Sequence, residues 1–221
     1  MQVELIAVPY DSGRRGERMG AGPEHLLRAG LPGRLAEAGH ETEVRVVELA
    51  SGRWWSEAAA AIELARLVAA QVRQASERGA FPLILSGNCG PAALGACAGV
   101  GGPPWVVWLD AHADFNTPET TPSGFWDGMS LAVLTGRCWT QLSGSIPGFR
   151  PVPETQVTLV GARHLDPLER AALELSRVAR VQAEQVDGNW TASLQGAARE
   201  TGGESSATYN RRRAGQVKRK P

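Results

Sequence analysis

An apolar run that ends on two acids and an imidazole constrains this chain more than any other stretch. Residues 105–127 read WVVWLDAHADFNTPETTPSGFWD. Trp105–Leu109 is β-branched and aromatic and is bounded by proline and glycine, which reads as a buried strand. A strand of this kind, apolar on both faces, belongs to a parallel sheet covered by helices. Asp110, His112 and Asp114 follow it at alternate positions. In extended chain such positions point the same way, so the three side chains converge at the C-terminal end of the strand, where open α/β sheets gather their sites. Two carboxylates and an imidazole read as ligands for a divalent metal. The competing reading is a hydrogen-bonded cluster at a strand end, without an ion.

The rest of the chain alternates in the same manner. Strands are expected at Val3–Val8, Glu43–Leu49, Pro82–Leu85, Gln156–Val160 and Val178–Val181. Between them, Pro23–Ala38 has helical spacing interrupted by Gly30 and Pro32. Ser56–Arg78 is an alanine-rich helix with Ser56 as N-cap and Gly79 as its stop. Pro91–Ala98, Gly128–Thr135, Pro167–Leu175 and Trp190–Arg199 complete the helices, and Thr140–Thr155 is expected to be an exposed loop. Strands joined by crossover helices imply an α/β fold with a mostly parallel sheet.

Composition narrows the partners. Lys+Arg and Asp+Glu are both 23, so net charge gives no support for a nucleic-acid or membrane surface. No run of apolar residues is long enough to span a bilayer, and Met1–Tyr10 lacks the basic start of a signal peptide. The expected location is therefore cytoplasmic. Cys89, Cys97 and Cys138 have no regular spacing and argue against a disulfide framework. Residues 201–221 carry six basic side chains, one acid and few apolar groups. This tail is expected to be disordered; a role in binding RNA or an acidic partner is the alternative, and nucleic acid is not the expected partner.

Two further strand ends should lie beside Asp110 in a parallel sheet. Leu83–Gly90 reads LILSGNCG, and Gln156–Glu169 reads QVTLVGARHLDPLE. With DAHADFNTPETTPSG and the opening PYDSGRRGERMGAGPEHL, these segments resemble the ureohydrolase family of arginase, agmatinase and formiminoglutamase over roughly residues 1–200. The resemblance implies an arginase-like three-layer α/β/α sandwich over 1–200. It implies two bridged Mn²⁺ ions and hydrolysis of a C–N bond in a linear amidine or guanidino compound. Asp110 would bridge the metals, with His112 and Asp114 each binding one. Asn116 and Ser123 would hold the α-carboxylate of an amino-acid substrate, and Asp166 and Glu169 would face its α-amino end. Family members form trimers or hexamers, so a homo-oligomer is an open expectation.

Three positions depart from the family pattern. Cys89 stands where the first metal-binding histidine is expected. As a thiolate it would favour Zn²⁺ or Fe²⁺ over Mn²⁺; as a neutral buried thiol it would hold no metal. Phe125 and Asp127 replace an asparagine and a proton-shuttling histidine, so Asp127 takes that catalytic role, beside Asp110, only with a raised pKa. Finally, no Asp-x-Asp occurs after Asp114, whereas the family draws further ligands from such a strand. The expectation is a C-terminally incomplete domain that holds one metal or none, with impaired hydrolysis. The alternative is a non-catalytic remnant or pseudoenzyme that associates with a full-length homologue.

Overall fold

The computed structural model describes residues 1–50 and 56–185. The helix expected at 190–199, the boundary near residue 200 and the basic tail lie outside the described residues.

The first half is organised on β1 (Gln2–Val8), whose residues after Gln2 are all buried. A loop follows, carrying the two-residue strands β2 (Tyr10–Asp11) and β3 (Arg14–Arg15), which pair antiparallel. The single interrupted helix expected at 23–38 is two helices, α1 (Gly22–Arg28) and α2 (Leu31–Glu37). They break at Gly30, which takes φ 89°, a conformation that glycine adopts without a Cβ clash. Next come β4 (Glu41–Val46), α3 (Glu57–Glu77) and β5 (Phe81–Ser86). Strands β4 and β5 flank β1, both parallel to it. Because the chain moves to one side of β1 for β4 and to the other for β5, right-handed crossovers place α1–α2 and α3 on opposite faces. This produces the three layers.

Helix α3 has the expected cap, with the Ser56 hydroxyl accepting from Ala59 N–H at 3.3 Å. Its buried stripe includes Leu64, Val68 and Val72 at helical spacing. Helix α4 (Cys89–Gly99) packs closely against it. A Cβ added at Gly95 would lie 2.6 Å from Val68 Cβ, and one at Gly99 2.5 Å from Val72 Cβ. The two glycines let the backbones approach, and they fix the position of the N-terminal turn of α4. That turn begins at Cys89, with Asn88 as N-cap, two residues before the expected start at Pro91.

The second half contains β6 (Val106–Leu109), α5 (Ser130–Leu134), α6 (Thr140–Ser143), β7 (Val157–Val160), α7 (Pro167–Glu174) and β8 (Ala179–Val181). Strands β6, β7 and β8 form a second parallel sheet in that order. The mostly parallel arrangement is thus present, as two three-stranded sheets among the described residues. The stretch Thr140–Thr155 is not the exposed loop expected from its Pro, Gly and Ser content. It includes α6 and buries Ser143 with Ile146, Phe149 and Val152, three apolar anchors set among proline, glycine and serine residues that read as loop. One core joins α4 to the second half: Leu94, Cys97 and Ala98 share a cluster with Trp108, Phe115, Leu131 and Leu159. No helix among the described residues is long and apolar enough to cross a membrane.

Candidate metal centre and substrate cavity

Three strand ends converge as the parallel topology requires, yet alternation beyond β6 does not hold. Strand β6 stops at Leu109, and Asp114 adopts φ 49° in the left-handed region. Aspartate tolerates that region better than most residues. The chain also bends straight after β6, where Asp110 Oδ1 accepts from His112 N–H at 2.9 Å, and His112 is separated from its neighbours. The ligand atoms of Cys89, Asp110 and Asp114 lie within 4.8 Å of one another, the one such group of three among the described residues. His112 lies outside it, with Nδ1 3.4 Å from an Asp110 oxygen and its ring 5.9 Å from that of His164.

The cluster is a concentration of negative groups. Burial, reinforced by Asp110, Asp127 and Glu169, pushes the Asp114 carboxyl up to about 8. Cys89 keeps part of its surface in solvent. Desolvation of its thiol, and then Asp127, Asp114 and Asp110, push it up to about 12. Without a cation the cluster holds protons in place of charge. Two ligands on one ion stand no more than about 4.6 Å apart for bonds of about 2.3 Å, so the observed spacing fits a single ion with little movement. One thiolate and two carboxylates make a coherent donor set for a transition-metal dication. The described residues do not provide a second set.

Asp127 is held differently from a proton shuttle. One carboxylate oxygen accepts from Cys89 N–H at 3.0 Å and from Asn88 Nδ2 at 3.2 Å. The other accepts from Gly90 N–H at 2.8 Å and Ser130 Oγ at 3.0 Å. A carboxylate at the first turn of α4 satisfies backbone donors that the helix leaves open and complements its dipole. Asn88 carries the network onward: its Nδ2 approaches Asp11 at 3.4 Å and its Oδ1 accepts from Ser12 N–H at 2.9 Å. The Ser12 hydroxyl in turn donates to Glu57 at 2.9 Å. Sequence reasoning missed this lattice because its members lie 37–77 residues apart. The Gly-Asn-Cys-Gly loop was the available signal, since a Cβ at Gly90 would lie 2.5 Å from the Trp126 ring.

Beside the cluster opens a cavity of about 490 Å³, with Asp114, Asn116, Ser123, Phe125, Arg163 and Asp166 in its wall. Glu169 and His164 also line it. Asn116 is buried and donates from Nδ2 to Asp166 at 3.0 Å, while its Oδ1 accepts from Thr120 Oγ1 at 3.0 Å. Ser123 is exposed, and its hydroxyl accepts from Phe125 N–H at 3.2 Å. Glu169 is 4% exposed and accepts from Phe115 N–H at 2.8 Å and Asp166 N–H at 3.2 Å. Burial raises its pKa despite those two bonds. Both Glu169 oxygens are engaged, so this side chain braces the cavity wall by tying the loop after β6 to the start of α7. His164 stands at the cavity with its side chain exposed, beside the ring of His112.

A family model described as the arginase family matches residues 1–209. The chain belongs to the arginase family. It is 35% identical over 187 residues to an arginase from Bacillus caldovelox, covering 76% of this chain and 60% of that one. An N(omega)-hydroxy-L-arginine amidinohydrolase from Streptomyces lavendulae is 47% identical over a shorter stretch of 77 residues, 35% of this chain and 25% of that protein. In fold, the chain superposes on an arginase crystal structure from Bacillus subtilis with a TM-score of 0.77 at 27% identity, over 91% of this chain and 71% of the other. It therefore spans about three-fifths of the Bacillus caldovelox arginase.

Proposed function

We propose that this arginase-family domain binds one divalent cation at Cys89, Asp110 and Asp114 and directs it at a linear amidine or guanidino compound in the adjoining cavity. The observation that carries this reading is the shared position of Asp114, which belongs to the three-residue cluster and also lines the cavity. The thiolate shifts the preference from Mn²⁺ toward Zn²⁺ or Fe²⁺. A dication held there supplies Lewis acidity, polarising the C–N carbon and acidifying water.

The chain's own residues do the rest. Asp114 and Asp166 favour the cationic head of the substrate, and Arg163 with Ser123 favours a carboxylate at its far end. Phe125 offers an apolar wall for the methylene chain between them. Asn116 and Glu169 hold the wall in place. His112 orients Asp110 through its Nδ1 and flanks the cavity. Asp127 positions Cys89 through the backbone of α4. With one ion and an Asp127 whose oxygens are all bonded, hydrolysis is slow.

The test is hydrolysis of L-arginine, agmatine and N-hydroxy-arginine by purified protein loaded separately with Zn²⁺, Fe²⁺ and Mn²⁺. Release of urea or hydroxyurea that disappears in Asp114→Asn supports the reading. Metal binding without turnover of any of the three favours the second reading, a non-catalytic chain that associates with a full-length homologue. A single cluster among the described residues, where the resemblance implies a metal pair, is the observation behind that alternative.

A further inference from the structure

Strand β4 reads Glu-Thr-Glu-Val-Arg-Val and pairs, among the described residues, only with β1. Five of its six residues are exposed, whereas six of the seven in β1 are buried. Val44 keeps 41% and Val46 46% of its surface in solvent. The side chains of Glu43 and Arg45 form an ion pair and are each 45% exposed. The hydrogen-bond phase of the strand is fixed at both ends. Glu41 N–H donates to the Met1 carbonyl at 3.0 Å, and Val47 N–H to the Ala7 carbonyl at 2.8 Å. Peptide groups alternate along a strand, so Glu43 and Arg45 also turn theirs to β1, while Thr42, Val44 and Val46 turn theirs outward. Register sets the faces: Val44 stands beside Leu5, and Arg45 beside Ile6, which packs against α3.

We infer that β4 is the contact surface for a second copy of this chain, joined edge to edge and antiparallel about a two-fold axis at Val44. That axis sets Val44 opposite the partner's Val44, Thr42 opposite the partner's Val46, and Glu43 opposite the partner's Arg45. Val44, Thr42 and Val46 are the residues whose peptide groups turn outward, so these pairs exchange both backbone bonds. Glu43 and Arg45 fall at the non-bonded positions, where facing side chains stand closest. Opposite charges there are favourable cross-strand pairs. The strand is thus complementary to itself in charge and in hydrogen-bond phase at once. An axis at Glu43 or at Arg45 would instead oppose like charges. An exposed edge accepts strand pairing, and a closed two-fold is the commonest way for like chains to meet. The edge alone covers less than the about 800 Å² per partner of a standard interface. Helix α2 contacts β4 and buries none of its residues, so it supplies further surface. The inference is independent of metal binding and of any hydrolytic activity.

The test is sedimentation equilibrium of the full chain, wild type and charge variants. Wild type is expected to dimerise reversibly with concentration. Glu43→Arg opposes two guanidinium groups across the axis and Arg45→Glu opposes two carboxylates, so each variant alone should dimerise about tenfold more weakly or worse. Mixed in equal amounts, the two variants should form a heterodimer about as tight as the wild-type dimer, because every charge again meets its opposite. Hydrogen exchange at the Thr42, Val44 and Val46 amides should slow as concentration rises, while the Glu43 and Arg45 amides, bonded to β1 in either state, stay unchanged. A wild type that remains monomeric, assembly that neither variant weakens, a mixture that does not recover the dimer, or no concentration-dependent protection at the three outward amides would overturn the inference.

Discussion

Replacing Asp114 by Asn isolates the electrostatic cost of holding these acids together without a cation. Asparagine tolerates the left-handed φ 49° and keeps the side-chain shape, so the change is chiefly the loss of a titratable charge. In the native chain burial, Asp110, Asp127 and Glu169 raise the Asp114 carboxyl from 3.8 to about 8. The folded state therefore holds a proton that the unfolded state has released, and stability falls as pH rises from 3.8 to about 8. At about 1.4 kcal/mol per pH unit, that interval sets a ceiling of roughly 5 to 6 kcal/mol; water access at the loop reduces it to about 2 to 3 kcal/mol. Chemical denaturation in EDTA should show the variant more stable than wild type by that amount at pH 8.5, with the difference shrinking as pH falls and vanishing only below 3.8, where Asp114 is protonated in the unfolded chain as well. In a melt the difference is about 5–10 °C. Zinc should reverse the order by stabilising wild type alone. A variant less stable than wild type at pH 8.5 in EDTA, or a difference independent of pH, would refute the argument that Asp114 is held against its neighbours' charge.

Two other substitutions test the scaffold. Gly95→Ala places a methyl group 2.6 Å from Val68 Cβ, so α3 and α4 must part at a cost of about 1–3 kcal/mol; Gly33→Ala in α2, with open space around it, should be neutral or stabilising by up to about 1 kcal/mol, and urea denaturation compares them. Asp127→Asn leaves one oxygen for four donors and should cost about 1–3 kcal/mol, with exchange at Cys89 and Gly90 amides rising; unchanged exchange there would show that Asp127 does not hold the turn of α4.

The sequence made the layers legible and blurred the site. Apolar runs at Val3–Val8 and Trp105–Asp110, and the capped alanine-rich helix from Ser56, are local signals, and each forms close to its expected bounds. The site depends on features that local patterns do not record. Strand β6 stops before Asp110, the chain bends at His112 and Asp114 takes a left-handed conformation, so the alternation that grouped His112 with the two aspartates does not hold. Helix α4 starts at Cys89 because a carboxylate 38 residues away receives its first amides. That contact ties Asp127, expected as a proton carrier, to the turn of α4. Glu169, expected at the substrate, lines the cavity and also accepts from two backbone amides, one distant and one local in the chain. Residue types were readable; the directions of their side chains depended on tertiary bonds.

Metal stoichiometry tests the central claim most directly. Purified chain stripped with EDTA and titrated with Zn²⁺ and with Mn²⁺, with bound metal counted by mass spectrometry, should take up one Zn²⁺ per chain, bind Mn²⁺ more weakly and release protons as Cys89 and Asp114 ionise. Cys89→Ala and Asp114→Asn should each lose that ion. Two ions per chain, or one ion bound equally well by Cys89→Ala, would contradict the single thiolate-bearing site.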